Sequence, residues 1–277
     1  MADITQVNDP ALERAQWQLY RTFFDQSERR RRWSIEKDIP WTQCNKNLDP
    51  AISDVVESFC AVELYLPDYL IHAIPASHPS RARTWFYANW GYEESKHSLA
   101  LNDWLLKSGA RSEERMTDLE GQIYQFPWQL PFDNYLAMLI YAMVQERATA
   151  LNYRNLRRQV QEHGGDPALE RLLTLLSVDE QAHHRFFLES VQLYLARDRD
   201  GTLAQIRRVM LGFAMPAIYG LADGRQRVAN IKELEIFNDN LYYQDVYLPI
   251  LADLGLQRAD MRTRTPNRKS APTSATN

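Results

Sequence analysis

Cysteine is scarce in this chain: 277 residues contain two, Cys44 and Cys60, with no C-x-x-C pair. A thiolate metal site and a disulfide scaffold are excluded, and the composition fits a reducing cytoplasm. Glycine is also sparse, ten in all, and the long amphipathic runs between breaks point to an all-α protein. No apolar run approaches the ~20 residues that cross a bilayer, and the opening MADITQVNDPALERAQ is too polar for a signal peptide. No membrane insertion is expected, and the reading is a soluble cytoplasmic protein. Charge of one sign is not in excess either. A formal net charge of -4 with pI near 5.9 gives no support for nucleic-acid binding. What is plentiful is hydrophobic material, 45% of the chain, enough for one sizeable domain with a large core.

One apolar stripe carries an anomaly. In LERLLTLLSVDEQAHHRFF, Leu169, Leu172, Leu173, Leu176 and Phe187 recur at helical spacing, and Glu180 and His183 continue the same stripe. Burying such groups without partners costs roughly 2 to 7 kcal/mol for a neutral one and more for a charged one. A metal ion is a fitting partner, because E-x-x-H puts one oxygen and one nitrogen on the same helix face one turn apart. A lone E-x-x-H arises often by chance. Here it occurs twice, the second copy being Glu94-Ser95-Lys96-His97 on a stripe of Tyr87, Trp90, Leu101, Trp104 and Leu105.

In chain order, residues 1–9 read as a frayed arm, and Asp9-Pro10 opens a helix over about 10–32 that ends in the basic run Arg29 to Arg32. Trp33 to Asp49 reads as an extended loop. Pro50 starts a helix whose inward face is Val56, Phe59, Cys60, Glu63, Leu66 and Leu70, and Pro67 is expected to kink or open it. After a short connector, Ser80 to Ser108 returns antiparallel, stopped by Gly109. A polar connector ending at Pro131 leads to a helix over about 132–163 that turns Leu139, Ala142, Met143, Glu146, Thr149, Ala150 and Tyr153 to one side. Gly164-Gly165-Asp166-Pro167 marks a break and restart. Helical stretches over about 202–221, with Pro216 inside, and 241–254 are expected to brace the bundle. Residues 1–257 form one domain in this reading, and 258–277, rich in Arg, Thr, Pro, Ser and Asn, form a disordered tail.

The chain therefore contains a helix-pair unit twice. Glu63 is followed 31 residues later by Glu94, and Glu146 is followed 34 residues later by Glu180, each second Glu opening an E-x-x-H. Four antiparallel helices then bring together Glu63, Glu94, His97, Glu146, Glu180 and His183. Four carboxylates and two imidazoles are the ligand set of carboxylate-bridged di-iron or di-manganese bundles. Their charge cancels two divalent cations, so that a neutral site can sit in a low-dielectric core.

The strings W-G-Y-E-E-S-K-H, V-Q-E-R-A-T and V-D-E-Q-A-H-H resemble the soluble acyl-acyl-carrier-protein desaturases of plants and actinobacteria, as do E-L-Y-L-P, Q-E-H-G, M-P-A-I-Y and Y-L-P-I-L, over about residues 10–255. The resemblance implies a ferritin-like four-helix bundle with additional bracing helices. It also implies two iron ions, with manganese as an alternative, O2 as co-substrate, an acyl carrier protein bearing the substrate, a ferredoxin-type electron donor and a homodimer. Glu63, Glu94, His97, Glu146, Glu180 and His183 would be the metal ligands, with Glu94 and Glu180 bridging. Thr149 resembles a hydroxyl that assists oxygen activation, although a core threonine bonding to its own helix has the same periodicity. Asp179 resembles the acid that orients a ligating histidine. Trp33, seven residues before Pro40, matches a tryptophan on the electron path.

Other expectations concern neighbours of these residues. His184, about 100° round the helix from His183, is not expected to be a ligand, and Glu93, pointing away from Glu94's face, is read as backing the ligands or as structural. Trp90, Trp104, Phe186, Leu139 and Met143 are candidates to line an acyl channel. Arg29 to Arg32, or Arg154, Arg157 and Arg158, are candidates to dock an acidic carrier protein. The substrate-side stretch Gly121 to Pro131 departs from the plant pattern, leaving chain length and double-bond position open. A hydroxylase or other oxygenase acting on a carrier-bound acyl or amino-acyl group has the same ligands. A ferritin-like iron-storage protein is the non-enzyme alternative. The small subunit of ribonucleotide reductase fits less well, since the position of its radical tyrosine holds Leu101.

Overall fold

A computed structural model of the chain describes residues 9–129, 132, 134–214, 218, 221 and 223–262. Among these there is no strand. Aspartate followed by proline opens three of the helices. In α1 (Pro10–Arg30) Asp9 accepts from the amides of Ala11 and Leu12, in α2 (Pro50–Glu63) Asp49 accepts from Ala51, and in α7 (Pro167–Arg197) Asp166 accepts from Leu169. Each aspartate satisfies an amide the helix itself cannot, and each proline fills a position where no donor is needed. The helix expected to kink or open at Pro67 is interrupted after Glu63, and α3 (Leu66–Ser77) starts afresh with that proline in its first turn.

Helices α2, α4 (Arg81–Lys107), α6 (Tyr135–Glu162) and α7 form the central bundle, with α6 packed along α7 and α2 against α4. α1 lies against α4 and α7, α3 against α4 and α6, and α8 (Arg199–Leu211) against α6 and α7. The bundle with bracing helices is the expected architecture.

Two helices lie where the sequence reading placed none. Residues 113–125 were read as part of a polar connector, yet they form α5 (Glu113–Gln125), capped by Ser112 and held by buried Met116, Leu119 and Ile123. α9 (Gly224–Glu233) packs on α2. Beyond it, α10 (Asp239–Leu241), a π-helical stretch over Tyr242–Tyr247 and α11 (Leu248–Asp253) follow one another directly. Pro249 in α11 has no N–H to offer the carbonyl of Asp245, and Arg147 Nε fills that place at 2.9 Å. The arm at 1–8, Pro131, the M-P-A-I-Y string apart from Ile218, and the tail from 263 lie outside the described residues. Residues 258–262 form turns that bury Met261.

The core consists of two apolar clusters. One gathers Phe23, Phe86, Leu139, Phe187, Val209 and Ile250, and the other Ile52, Leu101, Trp104, Leu156, Leu172 and Ile236. On α4 and α7 the change from one cluster to the other falls at the two E-x-x-H motifs. The polar groups thus sit as a layer between two hydrophobic halves.

Candidate metal centre

That layer brings together all six residues expected there. Glu63 comes from the last turn of α2, Glu94 and His97 from α4, Glu146 from α6, and Glu180 and His183 from α7. All six are buried. They form two overlapping sets. Glu63, Glu94, His97 and Glu180 each offer one donor atom within 4.8 Å of the others, and so do Glu94, Glu146, Glu180 and His183. Glu94 and Glu180 belong to both sets, where bridging carboxylates would have to be.

The donor atoms face one another without bonding. His183 Nδ1 lies 2.8 Å from Glu94 Oε1 and 3.4 Å from Glu146 Oε2, and His97 Nδ1 lies 3.3 Å from both Glu94 Oε2 and Glu180 Oε1. These separations suit ion pairs, yet Glu94 Oε1, Glu146 Oε2 and both Nδ1 atoms are buried with no hydrogen-bond partner. The far side of each ring explains this. His183 Nε2 is 2.8 Å from Glu93 Oε2, and His97 Nε2 is 3.5 Å from Asp179 Oδ2. With the proton on Nε2, each Nδ1 presents a lone pair to carboxylate oxygens, and a metal cation between them satisfies both. The residues therefore fit a pair of metal ions bound by oxygen and imidazole.

Electrostatics agree. Burial, reinforced by repulsion from Glu94 and Glu180, pushes the Glu63 carboxyl well above its usual range, and burial with the same neighbours does so for Glu146. Burial also opposes the charge on Glu94, but His97 and His183 hold it ionised. Both imidazoles, although burial acts against their charge, are driven upward by the surrounding carboxylates. Four carboxylates cannot all be charged here without cations.

Around the donors is a ring of partners, only part of which was expected. Asp179 faces His97, as read, and also accepts from Trp33 Nε1 at 2.7 Å and from Arg31 at 2.7 Å. Trp33, Asp179 and His97 thus form one chain of buried contacts leading to the centre. Glu93, read as pointing away from Glu94's face and as either backing the ligands or structural, does the former. It is buried and does for His183 what Asp179 does for His97, since its oxygens lie on the side that ring turns outward. Arg31 and Arg32 were offered as a docking patch, but both bind Glu93, and Arg31 also binds Asp179. Two further contacts had no sequence signal: Trp90 Nε1 donates to Glu146 Oε1 at 3.1 Å, and the Tyr153 hydroxyl donates to Glu63 Oε1. His184 bonds the Met143 carbonyl instead of entering the site.

A cavity of about 220 Å³ adjoins the centre, reaching Glu63, Thr149, Asn152 and Tyr153 on one side and α9 on the other. Trp90, Trp104, Phe186, Leu139 and Met143, expected to line a channel, are absent from its walls, although Trp90 lines a smaller cavity of about 40 Å³ that reaches Glu146. Trp104 is tied to Asp166 and Phe186 stacks on Phe86. The cavity is walled instead by Phe59, Val62, Phe213, Val228, Ile231, Phe237 and Tyr242, because α9 and the segment after it pack over α2 and α6. Thr84, Thr117 and Thr174 bond back to their own helices; among the described residues Thr149 has no such bond, and it lines the cavity.

The sequence model of the family described as Fatty acid desaturase matches residues 66–256. The chain belongs to the fatty acid desaturase family. This family member is 31% identical over 142 residues to the chloroplastic acyl-[acyl-carrier-protein] desaturase 7 of Oryza sativa subsp. indica, a match covering 49% of this chain and 34% of the rice protein. It thus spans about a third of the plant relatives' length. To DesA1 of Mycobacterium tuberculosis, provisionally named an acyl-[acyl-carrier-protein] desaturase, it is 22% identical over 242 residues, 79% of this chain and 70% of that one. Among solved structures, DesA2 of M. tuberculosis H37Rv, provisionally named an acyl-ACP desaturase, superposes with TM-score 0.66 at 20% identity, covering 89% of this chain and 95% of that one. An R2-like ligand-binding oxidase with a Mn/Fe cofactor gives TM-score 0.58 at 18% identity, covering 91% and 95%. At these identities the structural likenesses establish the fold, a ferritin-like helical bundle.

Proposed function

We propose that the protein is an oxygen-dependent desaturase acting on an acyl chain carried by an acyl carrier protein. Glu63, Glu94, His97, Glu146, Glu180 and His183 hold two iron ions, with Glu94 and Glu180 shared. The observation that carries this reading is the pair of overlapping buried donor sets in which Glu94 Oε1, Glu146 Oε2 and both histidine Nδ1 atoms have no hydrogen-bond partner.

Two redox-active ions there supply the oxygen chemistry needed to break unactivated C–H bonds. The protein's own groups do the rest. Glu93 and Asp179 fix the histidine tautomers, keeping both Nδ1 lone pairs inward. Removing two hydrogens while reducing O2 to two waters consumes two further electrons and two protons. Trp33, Asp179 and His97 give electrons from a ferredoxin-type donor a contiguous way in. The Thr149 hydroxyl, on the cavity wall, holds or passes a proton beside the reacting chain. The acyl chain occupies this largely apolar cavity, whose outer edge carries the exposed Lys232 and Asp239. With Arg31 and Arg32 engaged internally, the exposed Arg154, Arg157 and Arg158 on α6 are the better dock for an acidic carrier. The protein works in the cytoplasm as a homodimer, and no described helix is long and apolar enough to cross a membrane.

The test is to load the protein anaerobically with Fe(II), count iron, then reduce it and admit O2 with a panel of acyl carriers, reading products by mass spectrometry. About two irons per chain and loss of two hydrogens are expected. Gain of one oxygen would identify a hydroxylase instead. Glu180→Ala, which removes a shared ligand, is expected to lose most of the iron. Full iron and activity in that variant would overturn the assignment.

A further inference from the structure

The cavity beside Glu63 is not purely hydrocarbon in character. Asn152, on α6 one turn beyond Thr149, lines it while only 3% exposed, and its Oδ1 has no hydrogen-bond partner. Other asparagines held in the fold are paired: Asn155 donates to the Ile236 carbonyl at 2.9 Å, and Asn45 to that of Gly165 at 2.9 Å. A buried amide left unpaired is unfavourable, and a leucine or alanine at this position would suit a plain methylene chain better.

We infer that Asn152 recognises a hydrogen-bonding substituent on the bound chain, so that the substrate is an acyl group bearing a hydroxyl, amino or amide group along its length. The inference rests on the acyl-oxidation reading above and narrows its substrate class. A carboxamide both donates and accepts, so either a hydroxyl or an N–H satisfies it. Its place on the helix adds a positional consequence. Thr149 and Asn152 are three residues apart and so lie on one face, and both line the cavity that reaches Glu63. A substituent held by Asn152 therefore fixes which carbons lie beside Thr149 and the metal donors. Asn152 thus acts as a specificity and positioning residue. Phe59, Val62 and Ile231 bury the remaining hydrocarbon.

The test uses the full chain loaded with iron and titrated calorimetrically with acyl-pantetheine thioesters. Octanoyl, dodecanoyl and hexadecanoyl forms are each compared with their hydroxy- and amino-substituted positional isomers. At least one substituted isomer is expected to bind about tenfold more tightly than its unsubstituted parent. Asn152→Leu is expected to abolish that preference while binding the parent chain as well as before or better. Asn152→Ala gives the same comparison should the leucine variant fail to fold. The inference is overturned if every unsubstituted chain binds as tightly as its isomers, if the variants leave the ranking unchanged, or if no thioester binds to iron-loaded protein. In the first two cases Asn152 holds only water. Failure to take up iron is a separate result, read on the same samples, and would overturn the metal reading itself.

Discussion

Glu57, on α2 and outside the metal layer, is buried among Arg111, Arg115 and Arg227. Burial alone would raise its carboxyl, but hydrogen bonds from these three guanidinium groups outweigh it and hold the pKa down to about 2. A folded-state value below the unfolded one means that the carboxylate contributes stability in full above about pH 4.5, and that this is lost as pH falls from there towards 2. Glu57→Gln removes the carboxylate shared by the three guanidinium groups and leaves Arg111 and Arg227 only their partners Asp54 and Asp223, at an expected cost of about 3 kcal/mol near neutral pH. Urea denaturation checks this, since the gap between the two proteins should narrow as the pH is lowered to about 3. Equal midpoints at neutral pH would contradict it. Nearer the centre, Asp179→Asn keeps the shape but weakens the acceptor facing His97. Iron affinity, read by chelator competition, is expected to fall about 10- to 100-fold. An unchanged affinity would remove Asp179 from the account of the site.

Single elements carry the next level. Asp166 caps α7, the helix that delivers Glu180 and His183, and the same carboxylate accepts from the Asn45 amide at 2.9 Å and from Trp104 Nε1 at 3.0 Å. Asp166→Ala removes a cap and leaves two donors unsatisfied, so a loss of about 2 to 4 kcal/mol is expected in equilibrium unfolding. A loss under about 1 kcal/mol would show that water replaces the carboxylate there. The start of α7 was legible because Gly164-Gly165-Asp166-Pro167 is local punctuation, with Gly164 and Gly165 at φ 108° and 73°. The E-x-x-H motifs were legible for the same reason, each being a one-turn pattern on one helix. α5 was missed because its polar composition outweighed a real stripe of Met116, Leu119 and Ile123 behind a serine cap. Tyr153 with Glu63, Trp90 with Glu146 and Arg31 with Asp179 join residues 90, 56 and 148 positions apart. No local spacing encodes such pairs. The cavity escaped because α9, which walls it, had not been placed.

At the scale of the whole molecule, the polar layer is tolerable because two apolar clusters close it above and below. The bracing helices then cover the bundle on several sides. Small-angle scattering is expected to give the size of a compact dimer, since these added helices obstruct shell packing. A large cage would favour iron storage. All of this depends on two cations shared between α2, α4, α6 and α7. Anomalous diffraction at the iron edge from crystals of the iron-loaded protein addresses that directly. The expected result is two peaks about 3.5–4 Å apart, one beside Glu63 and His97 and one beside Glu146 and His183, with Glu94 and Glu180 between them. A single peak, or none within this layer while the six side chains keep their places, would contradict it.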